Sequence, residues 1–359
     1  MKKCITILII FIILFSGCSK DKIFKISKES KDIVSTEGGE AVSEGGYLLF
    51  ARSGSQSGMG IVDAETGEIR SIYKGNYQRS GVVGDRLFYN VTDKERGGVY
   101  CFDIKLNKFS LITKEYTFKS LPVGTEDGST AAFIGYSKTS YNPAIYYMDA
   151  KKCIPQRIEM KNESIRDLSF GKNKELLYSR KLKDKDMTKI AYQIFKYSFA
   201  DMKESRLRVS SDNEVDPILS PDGKKLAFVS DKYVDYNLFV MDLQSGAVNI
   251  IGMNDAIVGG TIKWSKDSRY LCYVRLKGAA SYSVKTADAE RKVTYEIGEG
   301  YNICFSPNGK EVAYASYDPK EKKQVVFTKG IKGGKSRMLF EYPEESRYSR
   351  SIDTLQWLK

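Results

Sequence analysis

Carboxylates are the side chains best suited by type to do chemistry here, because the chain contains no histidine. Without imidazole there is no Ser-His or Cys-His nucleophile, and the commonest general base and metal ligand are missing. An enzyme would need carboxylates, Lys or Tyr, and paired carboxylates serve in glycoside hydrolysis. The densest acidic runs are DKDMTK at 184–189 and SSDNEVD at 210–216. Neither repeats a recognisable acid pair, and both read as solvated charge on connecting loops. A calcium loop wants Asp, Asn and Gly spaced over about twelve residues; KDKDMTK supplies two acids and no glycine. Gly58 and Gly60 are followed by no helix, so they form no phosphate loop. Asp63, Asp103, Asp149, Asp242 and Asp288 recur, each closing a separate strand-like run. Such a residue is expected to accept backbone N–H bonds in its own turn rather than to join a metal site. Cys101, Cys153, Cys272 and Cys304 show no metal-type spacing. They sit singly in apolar runs, read as buried thiols, and the sequence selects no disulfide pairing. NVT at 90 and NES at 162 carry the N-glycan acceptor pattern. No catalytic, cofactor-binding or metal-ligating residue is therefore expected.

The elements that carry these residues follow a period of two. Short apolar and aromatic runs recur, among them YLLFARS, RLFYNVT, AAFIGYS, ELLYSRK, LAFVSD, LCYVRL and VAYASY. They return about every 40–50 residues, with a second family of runs between them and no amphipathic helix intervening; that rhythm marks a β-propeller. The 24 Tyr and 17 Phe suit pleated, half-buried surfaces. One phrase is written repeatedly: ILSPDGKKLAF, IKWSKDSRYLCY and ICFSPNGKEVAY, anchored at Ser220, Ser265 and Ser306. Pro221 presets φ, Asp222 caps the turn and Gly223 takes positive φ before Leu226, Ala227 and Phe228 open the next strand. SKDS keeps Ser265 and Asp267 but lacks Pro and Gly, which predicts a looser turn. LSFGKNKELLY at 168–178 reads as a degenerate copy, one residue shorter. At the end of the chain, DTLQWLK repeats GTIKWSK, placing Thr354 over Thr261, Trp357 over Trp264 and Lys359 over Lys266. A lone inner strand there would be an exposed edge, so it is expected to pair with YLLFARS. The fold class is all-β, a propeller of seven four-stranded blades closed by strands from both termini. Residues 40–43 compete for the same inner position, which leaves six or eight blades as alternatives.

The first residues form an address. MKK is followed by the apolar run CITILIIFIILF, too short for a membrane span of about twenty residues. LFSGC then resembles the lipobox of bacterial lipoproteins, with Phe15 where Leu is usual. The resemblance implies that residues 1–17 are a signal peptide and that Cys18 carries lipid, anchoring the protein at the extracytoplasmic face of the cell membrane. Residues 18–45, rich in Ser, Lys, Glu and Gly, read as a tether, and 46–359 as the propeller. For an exported chain, a formal charge of +12 suggests anionic lipid headgroups or wall polymers rather than nucleic acid.

The run SPDGKKLAFVSD followed by NLFVMDLQSG resembles the WD-repeat-like unit of the TolB propeller family. The likeness is specific over the last three units and rests on rhythm elsewhere. It implies an exported or propeller-forming module that binds partners through loops on one face and the central funnel; a monomer is expected. Several connections pair Tyr with Lys or Arg, which suits protein or glycan contacts. Their candidate contact residues are Tyr77, Gln78 and Arg79 of GNYQRS, Lys138 and Tyr141, Arg180 and Lys181, Tyr233 and Tyr236, and Arg347 and Tyr348. The expected function is a non-catalytic, protein-binding scaffold of the cell envelope. A glycan-binding or carboxylate-based carbohydrate-active propeller is the alternative, and acids about 5–10 Å apart on the axis would favour it.

Overall fold

The computed structural model describes residues 46–359, except 53–57, 75–77, 92–97, 107, 121, 138–139, 160–163, 172–173, 184–189, 209, 234, 279–280, 344–351 and 359. The signal peptide, Cys18, the tether and residues 40–43 lie outside the described residues. Seven antiparallel sheets form a seven-bladed propeller. No helix among the described residues is long and apolar enough to cross a membrane.

The first blade is built from both ends of the described chain. Its strands run in the order Ile352–Leu358, Tyr47–Arg52, Gly58–Asp63 and Ile69–Lys74. Leu48 faces Trp357 across the pairing, and Phe50 faces Leu355. Behind them lie Cys304, Ala313, Val326 and Phe340 of the seventh blade. The closing strand thus buries its apolar side chains against two blades at once. Trp264, the counterpart of Trp357, donates its indole N–H to the Ile218 carbonyl of the preceding blade at 3.1 Å. The Trp357 indole nitrogen is buried without a partner among the described residues, so its ring contributes through packing.

The repeated phrase forms the hairpin between first and second strands. Ser220 N donates to Lys225 O at 2.8 Å, and Gly223 N to Ser220 O at 2.8 Å. The Ser220 hydroxyl donates to Asp222 and accepts from Lys225 N at 2.9 Å. Ser306 and Asn308 repeat this set. The SKDS turn is not looser. Ser265 N bonds Tyr270 O at 2.8 Å, Ser268 N bonds Ser265 O at 3.0 Å, and Ser268 adopts φ 60° in place of glycine. The Ser–Asp bond and the backbone ladder hold the turn, so the left-handed cost is borne without Gly. TEDG at Thr125–Gly128 is a further copy that the sequence reading passed over, with Thr125 in the serine position and Gly128 at φ 65°.

The third blade departs from four plain strands. Its innermost strand is broken into Tyr116–Phe118 and Val123–Gly124, both paired with Thr130–Ser137. Pro122 has no N–H for the ladder, and its carbonyl lies 2.6 Å from where a Cβ on Gly81 would stand. The neighbouring blade therefore presses on the break, and Gly81 is needed there. Trp357→Ala is expected to lower unfolding free energy by about 3–5 kcal/mol, read as an earlier urea midpoint. A midpoint unchanged from wild type would show that the closing strand carries no load.

Candidate functional site

The recurrent Asp residues act as turn caps. Asp63 Oδ1 accepts from Glu65 N and Thr66 N, both at 2.8 Å. Asp149 accepts from Lys151 N and Lys152 N, and Asp242 from Gln244 N and Ser245 N. Asp288 does the same and also holds Arg269 at 2.9 Å. Asp103 caps Leu106 N and pairs with Arg86 at 2.7 Å. These carboxylates are consumed by their own turns. No group of three or more metal-type ligands occurs among the described residues.

The site that stands out lies on the axis, where the innermost strands of consecutive blades meet. Those of the fourth and fifth blades, Ile165–Phe170 and Glu214–Leu219, each carry a bulge near their start. Asp167 and Asp216 occupy the bulges at φ 56° and 52°. Asp tolerates the left-handed region because its short polar side chain bonds locally. Here it reaches to the next blade instead. Asp167 Oδ2 accepts from Asp216 N at 3.2 Å, and Asp216 Oδ2 accepts from Gly260 N, of the sixth blade, at 2.9 Å. Carboxylates thus stitch three successive blades around the channel. The seventh blade carries Asn302, at φ 45°, in the same kind of bulge.

Burial strains this arrangement electrostatically. Asp216 is 7% exposed, and its Oδ1 has no partner among the described residues. Burial, then the Asp167 charge, pushes the Asp216 carboxyl up to about 7; Gly260 N–H and Arg166 pull the other way. The neighbouring Asp167 charge thus adds to burial in favouring the protonated form of Asp216. Arg166 Nε donates to Asp167 Oδ2 at 2.7 Å. Its guanidinium lies 5.4 Å from the Tyr192 ring centre, and Lys181 Nζ lies 6.0 Å from the same ring. Gly259 borders the pair, since a Cβ there would lie 2.9 Å from Asp216 Oδ2. The arrangement can hold one proton and present two cations beside an aromatic face.

This site corrects one expectation. The SSDNEVD run is not solvated charge. Glu214 is 1% exposed and is paired with Arg208 at 2.6 Å, while burial raises its carboxyl pKa. Asn213 bonds Asp231 and Tyr192 N, pinning the connection. The DKDMTK run lies outside the described residues. The signal that could have found the site is the Asp heading both IRDLSF and EVDPILS, at one position of two inner strands.

The candidate contact residues are distributed as follows. Lys181 is exposed at the rim beside Tyr192. Arg180 is inward: it pairs with Glu204 at 2.7 Å and covers the Phe195 ring at 4.1 Å. Tyr178 also donates to Glu204, and burial raises its hydroxyl pKa. Tyr233 and Tyr236 are exposed, at 47% and 42%, between second and third strands of the fifth blade. Tyr77, Lys138, Arg347 and Tyr348 lie outside the described residues. Gln78, Arg79 and Tyr141 fall within strands, Gln78–Val83 and Ser140–Asp149. Beside Tyr236, sequence reasoning missed Met253, 57% exposed, and Leu276, 41% exposed. Ile257 N donates to Tyr236 O, Leu276 N to Ala256 O, and Asn254 N to the Asn237 side chain. These bonds join three connecting segments on the face opposite the Ser-Asp turns.

No protein-family model matches the sequence, and no curated protein matches it significantly. Solved structures do match. TolB from Acinetobacter baumannii is 17% identical with a TM-score of 0.52, over 87% of this chain and 66% of that one. An oligogalacturonate lyase in complex with manganese is 12% identical with a TM-score of 0.60, over 77% of this chain and 84% of that one. Puromycin hydrolase is 12% identical with a TM-score of 0.59, over 87% and 53%. The fold is a TolB-like seven-bladed propeller. At these identities the likeness is of fold, and a fold shared by a lyase and a hydrolase does not choose between binding and catalysis.

A raised carboxyl pKa means that the proton stabilises the folded form. That contribution is complete below the ordinary carboxylate range and is lost as pH rises through about 7. Asp216→Asn keeps an acceptor for Gly260 N and a donor for Asp167. Between pH 5 and pH 8 the variant is expected to gain roughly 2–4 kcal/mol on wild type, read from urea midpoints. Parallel pH profiles would show that Asp216 is ionised throughout.

Proposed function

We propose that this chain is an exported, lipid-anchored propeller that docks a protein partner on the face carrying Tyr236, Met253 and Leu276, without covalent chemistry. The carrying observation is that Tyr236, Met253 and Leu276 stand exposed on segments that backbone hydrogen bonds hold together. Exposed Tyr and Met adapt to partner surfaces at modest entropic cost. The rim cations Arg166 and Lys181 fit a partner that brings acidic groups to the funnel. LFSGC and the basic, apolar leader support anchoring through Cys18.

One observation favours a second reading. Asp167 and Asp216 at the axis, with Arg166 between them and Tyr192, suit a ligand such as a saccharide entering the funnel. The two readings separate by where substitutions act. The lipid-anchored chain is to be cross-linked in its own membranes and its adduct compared among variants. Tyr236→Ala with Met253→Ser is expected to reduce the adduct at least tenfold, while Asp167→Asn leaves it intact. Loss with Asp167→Asn alone, or saccharide binding with no adduct, would replace docking by the funnel reading. Cys18→Ala is expected to move the protein from the membrane to the soluble fraction, and retention on the membrane would refute the anchor.

A further inference from the structure

The second and third blades approach each other closely through glycines. A Cβ on Gly124 would fall 2.1 Å from Val83 Cγ1, and Gly84 and Gly128 touch backbone to backbone. Farther out in the same interface lie two thiols. Cys101 is on the third strand of the second blade, Gly98–Asp103, and is 3% exposed. Cys153 closes the turn that follows Asp149 in the third blade and is half-buried. Both pack in one cluster with Val99, Phe118, Met148 and Ala150. The turn aims Cys153 inward: its N–H donates to Asp149 O at 2.8 Å, its φ is 55°, and its thiol lies 3.1 Å from Ala150 O. Gly67 and Gly246 hold the corresponding place in the first and fifth blades, and Met202, Lys292 and Lys322 hold it in the fourth, sixth and seventh, all at positive φ. At Cys153 the side chain turns into the cluster that holds Cys101. Each thiol shifts the ionisation of the other, as neighbours in one cluster do.

We propose that Cys101 and Cys153 are a disulfide-forming pair that locks the second blade to the third. Cys153 is the accessible member and attacks an incoming disulfide, a small-molecule or protein disulfide, as its thiolate. That forms a mixed disulfide and releases one thiol of the oxidant. Cys101 then loses its proton and attacks the Cys153 sulfur, releasing the second thiol. The pair gives up two electrons and two protons, and the oxidant becomes two thiols. The order follows the environments. A hydrogen bond from Cys101 lowers the Cys153 thiol pKa, whereas that bond and burial raise the Cys101 thiol. Cys272 and Cys304 are fully enclosed in apolar packing on other blades and remain thiols. The bridge would close a loop of about fifty residues, long enough to constrain the unfolded chain substantially.

The test treats the full-length protein with oxidised glutathione, alkylates remaining thiols after unfolding, and maps tryptic peptides by mass. A linked peptide pair containing Cys101 and Cys153 is expected, with Cys272 and Cys304 alkylated. The oxidised protein is expected to melt about 5 °C higher than the reduced one. Cys153→Gly, which suits the left-handed turn, is expected to lose both the link and the oxidant-dependent shift while folding normally. Complete alkylation of Cys101 and Cys153 after oxidation, or linkage of either to Cys272 or Cys304, would overturn the proposal. Should Cys153→Gly not fold, Cys101→Ser supplies the same comparison.

Discussion

Everything in this molecule depends on one pairing, between the strand that ends the chain and the strand that begins the first blade. A propeller sheet left with an unpaired inner strand exposes a row of backbone donors and acceptors along the axis. Here Ile352–Leu358 removes that edge by joining Tyr47–Arg52, and its Leu355 and Trp357 fill the gap between the seventh and first blades. The chain ends are thereby held by backbone hydrogen bonds and apolar contact together. Arg337 adds a bond across the same seam, donating to Ala64 O at 2.7 Å.

Once the ring is closed, its parts are constrained from two sides. Outward, each blade packs apolar side chains against the next, as Trp264 does between the fifth and sixth. Inward, the bulged residues of successive strands exchange carboxylate-to-amide bonds about the axis. That inner girdle explains why charged side chains are tolerated at the centre. Buried carboxylates cost free energy unless paired or hydrogen-bonded, and these accept from the amides of Asp216 and Gly260. Asp216 remains the strained member, with one oxygen lacking a partner. It is the place where the fold's needs and a ligand's could coincide.

Much of this was legible in the sequence. The period-two runs and the Ser-x-Asp-Gly phrase specified strands and hairpins because turn chemistry is local, and DTLQWLK announced its pairing by copying GTIKWSK. The Asp residues at strand ends were read as caps for the same reason. What escaped depended on contacts between blades. Asp167 and Asp216 are 49 residues apart, and only closure of the ring makes neighbours of them. SSDNEVD has the composition of a solvated loop, and its burial comes from Arg208, Asp231 and Tyr192, which composition does not reveal. Thr125 was missed because Thr replaced Ser in the phrase. Met253 and Leu276 were missed because backbone bonds between separate connections join their segments to that of Tyr236.

Amide hydrogen exchange tests closure most directly. Amides of Leu355, Gln356 and Trp357 are expected to exchange as slowly as those of Leu226, Ala227 and Phe228 in the fifth blade, because both sets open only with the whole ring. Exchange of the final strand within seconds, with the fifth blade still protected, would show an open ring and contradict the account.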